Sequence, residues 1–110
     1  MLEIKKTSKI YVYGEPINMS KSFKGLAQIV EELDKKKTKH NDLFVFFNRK
    51  YNYVKVLYYE KFSMCIWAKR LDPGFVFDEG VSGNITVGQL EKLLKSYLLP
   101  TLKQELKKAA

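Results

Sequence analysis

Between Leu43 and Leu71 the chain reads "LFVFFNRKYNYVKVLYYEKFSMCIWAKRL", and this run constrains the fold more than any other part of the sequence. It divides into "LFVFF", "YVKVLYY" and "FSMCIWAKRL", separated by the short breaks "NRKYN" and "EK". β-Branched and aromatic residues in runs of this length predict strands. Connections this short join neighbouring antiparallel strands, so the run predicts a meander. Side chains alternate between the two faces of a strand. If Asn48 opposes Tyr53 across the first turn, then Leu43, Val45, Phe47, Val54, Val56 and Tyr58 share one apolar face. Phe44, Phe46, Tyr53, Lys55, Leu57 and Tyr59 share the other, joined by Phe62, Met64, Ile66 and Ala68, while Cys65 and Trp67 return to the first. A slip of one residue would exchange the two sets.

The flanking segments supply material to cover these faces. "KIYVY", residues 9–13, predicts a short strand that ends at the turn "GEP". In "NMSKSFKGLAQIVEEL", Phe23, Leu26, Ala27, Val30 and Leu33 recur at helical spacing. Asn18, Ser20 and Ser22 are all competent to cap that helix. Gly25 within it costs about 1 kcal/mol relative to alanine, which close approach to the sheet would explain. Residues 34–42 form a polar, lysine-rich loop. "DPG" is a further turn, and "FVF", residues 75–77, a further short strand. Thr86 and Gln89 have the spacing of a capping box, ahead of an apolar helical face of Leu90, Leu93, Leu94, Tyr97 and Leu98. Pro100 breaks or kinks that helix, leaving residues 100–110 as a basic tail or last turn. The expectation is one α+β domain over residues 1–110 with its core at about 9–99. Its antiparallel sheet of four or five strands packs against two amphipathic helices. The first face should be buried with the helical stripe, so that Phe23, Leu26 and Val30 meet Val45, Phe47, Val56 and Trp67. The second face is too apolar to be bare. The second helix, a second copy of the chain or unstacked bases could each cover it, and burial by the protein itself is preferred.

Function is narrowed mainly by charge and by missing chemistry. The 110 residues carry 20 Lys and Arg against 12 Asp and Glu, a formal net charge of +8. Such an excess favours phosphate backbones, anionic membrane surfaces or acidic proteins as partners. Cys65 is the one cysteine and His40 the one histidine, which excludes an internal disulfide and a zinc site built from those residue types. The start "MLEIKKTSKI" has no apolar signal core, and no apolar run approaches a membrane span, so a cytoplasmic location and no membrane partner are expected. "GVSG" lacks the lysine of a phosphate-binding loop. Cys65, in a strand beside Trp67, reads as an inert thiol, and Asp72, Asp78 and Glu79 read as turn residues. No catalytic residue, metal site or cofactor is assigned. The candidate nucleic-acid contacts are cations at turns and strand ends, Arg49 and Lys50 with Tyr51 beside them, and Lys69 and Arg70, together with Lys21 and Lys55.

Three separate runs resemble a known family. "IYVYGEPINMSKSFKGL", the Leu43–Leu71 run and "GFVF" are similar to the TnpB accessory protein of the insertion-sequence-66 transposons, the product of their small second open reading frame. Lys21, Ser22, Phe23, Gly25 and Leu26 carry the first match. Leu43, Phe44, Val45, Phe46, Asn48, Arg49, Lys55, Leu57 and Tyr58 carry the second. Cys65, Trp67, Lys69, Arg70 and Leu71 carry a further match at the end of that same run, and "ITVGQLEKLL" stands where the family has a closing helix. Asn18 and Ser20 depart from it, standing where the family has an acid and an arginine. Losing the arginine weakens a phosphate grip at the helix start, and Lys35 to Lys39 could compensate. The resemblance implies an accessory role in DNA transposition, with transposon-end DNA and a separate transposase as partners and a homodimer as a further possibility. The alternatives are a protein-interaction module without nucleic-acid contact and an RNA-binding sheet; the latter lacks the signature of the RNA-recognition fold.

Overall fold

The computed structural model describes residues 9–33, 42–60, 62–95 and 98–108. In chain order the elements are β1 (Ile10–Val12), α1 (Phe23–Leu33), β2 (Leu43–Phe47), β3 (Tyr53–Glu60), β4 (Ser63–Arg70), β5 (Gly83–Asn84), α2 (Val87–Leu93) and α3 (Leu99–Lys108). The five strands form one sheet in the order β4-β3-β2-β1-β5. The meander is present, and β2 and β3 pair in the expected register: Val45 opposes Val56, and the Asn48 amide donates to the Tyr53 carbonyl at 3.3 Å; in the next pair Val56 opposes Trp67 and Tyr53 opposes Arg70. The fold is α+β, but the sheet is mixed, because β1 lies parallel to β2. A parallel neighbour needs a crossover, and α1 supplies it. The edge beyond β1 is β5, two residues paired antiparallel to it.

Every residue of β2 is buried, so both faces of the sheet require a cover. The first face, with Leu43, Val45, Phe47, Val54, Val56, Tyr58 and Trp67, is packed by Leu90, Leu93 and Leu94 of α2 and its cap and by Leu102 and Leu106 of α3. The second, with Phe44, Phe46 and Leu57, is packed by Leu26 and Val30 of α1. This reverses the expected placement of the first helix: its stripe does not meet Val45, Phe47, Val56 and Trp67, and Phe23 is 45% exposed. The physical reason is the parallel crossover, which lays α1 across the face opposite the C-terminal helices. The second face is nonetheless buried by the protein itself, so its apolar character gives no reason for a second copy.

Local chemistry accounts for the helix ends. Helix α1 begins one residue after Ser22, whose carbonyl accepts from the Leu26 amide at 2.9 Å. Asn18 instead closes the preceding turn, its Oδ1 accepting from the Ser20 amide at 2.9 Å. Gly25 is not explained by the sheet: a Cβ there would lie 3.3 Å from Cβ and Cγ of Lys21, whose stem runs across the helix start. The capping box of α2 is formed, with the Gln89 amide donating to Thr86 Oγ1 and the Thr86 amide to Gln89 Oε1.

Three further expectations need correction. Residues 75–77 are not a strand; Phe77 is buried against Phe47, while Phe75 and Val76 are exposed. Pro100 does not end a helix but lies in the first turn of α3, where its missing N–H costs nothing. Residues 100–108 are accordingly no tail, and the sheet packs against three helices rather than two. Tyr97 lies outside the described residues. Leu102 is fully buried. Leu102→Ala should therefore lower stability by about 2–5 kcal/mol in urea unfolding, whereas a frayed tail would leave the midpoint unchanged.

Candidate functional site

The C-terminal ends of β1, β2 and β4 all lie at one end of the sheet, because β1 is parallel to β2 and the meander brings β4 back to that direction. The loop after β1, the turn after β2 and the last residue of β4 therefore converge. The loop is held down by backbone bonds from Tyr13 to the Val45 carbonyl and from Ile17 to the Phe47 carbonyl, both 2.9 Å. A second anchor comes from β3. Lys55 points to the α1 side and is only 9% exposed, and its Nζ donates to the carbonyls of Met19 at 2.7 Å and Lys21 at 2.8 Å. Buried ammonium groups need such partners, and these two carbonyls supply them.

The β2–β3 turn is organised by its own asparagines. Asn48 Oδ1 accepts from the backbone amides of Asn52 and Tyr53, both at 3.1 Å, and Asn48 Nδ2 donates to Asn52 Oδ1 at 2.6 Å. Tyr51 takes φ of 53°, a left-handed conformation uncommon for a bulky residue. Its ring stacks on Phe47 at 5.3 Å, and its carbonyl accepts from the Phe77 amide. Between loop, turn and strand end lies a groove of about 420 Å³ lined by Ile17, Asn18, Met19, Asn48, Arg49, Lys50, Asn52, Tyr53 and Arg70. Arg70 opposes Tyr53 in the ladder and its guanidinium lies 4.8 Å from the centre of that ring. The lining holds three cations and no acid. None of the three is ion-paired among the described residues.

The structure thus brings Arg49, Lys50 and Arg70 together and separates them from the other expected contacts. Tyr51 turns to the opposite face, among Phe47 and Phe77. Lys69 alternates with Arg70 and lies on the Trp67 side, exposed. Lys21 is exposed beside the loop. Lys55 is engaged by the two carbonyls and braces the groove from beneath. Residues 35–39 and His40 lie outside the described residues. Sequence reasoning missed Asn18, Asn48, Asn52 and Tyr53. The paired asparagines bracketing "RKY" were the available signal, since this residue type closes turns through its side chain.

Elsewhere, Cys65 is engaged rather than poised. Its Sγ donates to Glu60 Oε1 at 2.8 Å. Burial, then the hydrogen bond and charge of Glu60, push the thiol pKa up. The cross-strand Tyr58 is raised too, first by burial and then by Cys65. Asp78 pairs with Lys95 at 3.2 Å, in keeping with a loop role. Among the described residues no group of three or more His, Cys, Asp or Glu could hold a metal ion, and no helix is long and apolar enough to cross a membrane.

Fold and groove together define an α+β domain with a concave cationic site at one end of its sheet. Residues 8–104 match the model of the family described as IS66 Orf2 like protein. That span is nearly the whole chain, so the chain belongs to this transposition-associated family, which is separate from the transposase. No curated protein and no solved structure gives a significant match.

Two outcomes follow from the geometry. Lys55→Met should lower stability by about 1.5–3 kcal/mol by leaving two carbonyls without a charged donor, and urea unfolding measures it. Because its pKa is raised, the Cys65 thiol stays protonated at neutral pH, and iodoacetamide should label it slowly until the pH exceeds the ordinary thiol range. Glu60→Gln removes a cause of that shift and should speed labelling at pH 8; an unchanged rate would show that Glu60 does not restrain the thiol.

Proposed function

We propose that this protein is a non-catalytic DNA-binding factor of transposition, acting beside a separate transposase, with the groove gripping backbone phosphates. The observation that carries the reading is the lining itself: Arg49, Lys50 and Arg70 converge from two elements with no acid among them. Cations without an ion-pair partner among the described residues are free to neutralise phosphate, and the net charge of +8 draws a polyanion towards them. Exposed Lys21, beside the loop, adds positive charge near the groove, whereas exposed Lys69 lies on the other face of the sheet. Transposon-end DNA is the substrate expected from family membership.

A second reading has its own observation. Phe75 is 62% and Val76 58% exposed, and Phe75 borders a second groove of about 400 Å³ shared with Arg70, Leu71, Asp72 and Leu98. Exposed apolar groups beside a concavity fit contact with a protein such as the transposase.

Fluorescence titration on transposon-end duplex across a range of salt concentrations separates the two. Phosphate neutralisation predicts that log affinity falls with log salt at a slope of about −0.9 per phosphate contacted. Replacing both Arg49 and Lys50 by Ala should flatten the slope by about one to two units at that value per contact. Unchanged affinity and slope in a folded double variant would remove the groove from the DNA site and leave the interaction reading.

A further inference from the structure

Two of the three asparagines of the groove, Asn18 and Asn52, turn the same end outward. Asn18 Oδ1 is taken by the Ser20 amide, and Asn48 Oδ1 by the amides of Asn52 and Tyr53. Backbone amides can only donate, so these contacts fix which end of each side chain is oxygen. With Asn48 so oriented its NH₂ group must face Asn52, which answers with Oδ1. Asn52 is thereby fixed in turn. All three oxygens already accept inside the protein, Asn48 Oδ1 with both lone pairs and the other two with one each. The NH₂ groups of Asn18 and Asn52 have no hydrogen-bond partner among the described residues, and both residues line the groove.

Joined to the guanidiniums of Arg49 and Arg70 and the ammonium of Lys50, these two amides complete a lining whose outward polar side-chain groups are donors. The only hydroxyl is that of Tyr53, which can donate as well as accept. Such a surface discriminates by hydrogen-bond sense as well as by charge. A ligand carrying donors would find only amide oxygens already engaged inside the protein, whereas a multi-oxygen acceptor would be met by unengaged donors from several sides. We infer that the groove is an oxyanion site for phosphate, in which Asn18 and Asn52 are binding residues that supply uncharged donors beside the three cations. The inference uses the same groove as the DNA-binding reading, deepening it, and it can fail independently.

Neutral amides release no counterions, so the salt dependence of DNA binding would not reveal them. Their side-chain NH₂ signals in a ¹⁵N-correlated NMR spectrum would. The probe is inorganic phosphate titrated into the ¹⁵N-labelled full chain, with sodium chloride and sodium glutamate at matched ionic strength as controls and a short oligonucleotide as a further arm. The Asn18 and Asn52 NH₂ pairs should move saturably with phosphate. The Asn48 pair, already donating to Asn52, should move less. Asn18→Asp keeps the oxygen that receives the Ser20 amide but replaces the NH₂ by a charged acceptor. It should weaken phosphate binding by about tenfold or more, through loss of a charge-assisted hydrogen bond together with the added negative charge.

NH₂ signals that stay still under phosphate, or that move equally with chloride, would overturn the inference. So would an Asn18→Asp chain, folded by circular dichroism, that binds phosphate like the parent. A larger, saturable response to glutamate would also overturn it and point to an acidic protein segment. Phosphate-responsive amides in a chain that ignores the oligonucleotide would uphold the oxyanion site while removing the DNA reading. An oligonucleotide that binds without moving the amides would do the reverse.

Discussion

A central strand that can show neither face to water sets the terms for everything else. β2 is five consecutive buried residues, "LFVFF", and each face must be closed by a separate layer. The chain closes one with the crossover between β1 and β2 and the other with its last two helices. Burying Phe44 and Phe46 on one side and Leu43, Val45 and Phe47 on the other removes a large apolar area from water. At about 25 cal/mol per Å² this is the dominant favourable contribution in a chain of this size. The parallel placement of β1 follows from using α1 as a cover, and it carries the loop of Asn18 and Met19 to the end of the sheet where Arg49, Lys50 and Arg70 stand. Had β1 paired antiparallel to β2, that loop would have emerged at the opposite end and the groove would lack one wall.

Lys55 links the core to the groove. It occupies a sheet position between Phe46 and Ala68, where an apolar residue would pack without a desolvation cost. A charge is tolerated there because two loop carbonyls turn down to receive it. The interaction fixes where the loop sits above β3, and hence how Asn18 faces the turn bearing Arg49 and Lys50. Its burial gives it a structural role: it shapes the groove without lining it.

Much of the meander was legible in the sequence. Alternation around one assumed pair, Asn48 with Tyr53, yields the register of β2 and β3 and the membership of both faces, because a turn this short leaves few choices. The capping box of α2 was readable for the same local reason. The assignment of helices to faces was not: β2 is equally apolar on both sides, so patterning cannot say which helix lies where. β5 escaped because Gly83 and Asn84 have no strand propensity and pair only where β1 offers an edge. α3 was obscured by its lysines, which mask Leu102 and Leu106 four residues apart. Of the candidate site, Arg49, Lys50 and Arg70 were legible as turn and strand-end cations. Lys69 and Tyr51 were grouped with them because nearness in sequence hides the change of face from one residue to the next. The asparagines were invisible as ligands, since their orientation depends on which backbone amides reach them.

Hydrogen–deuterium exchange on the full chain, with and without transposon-end DNA, tests most directly whether this end of the sheet is the DNA-contacting surface. DNA should slow exchange in residues 17–20 and 48–52 and leave α3 unchanged. Protection centred instead on Phe75 and Val76, with residues 17–20 and 48–52 unaffected, would contradict the assignment of the groove.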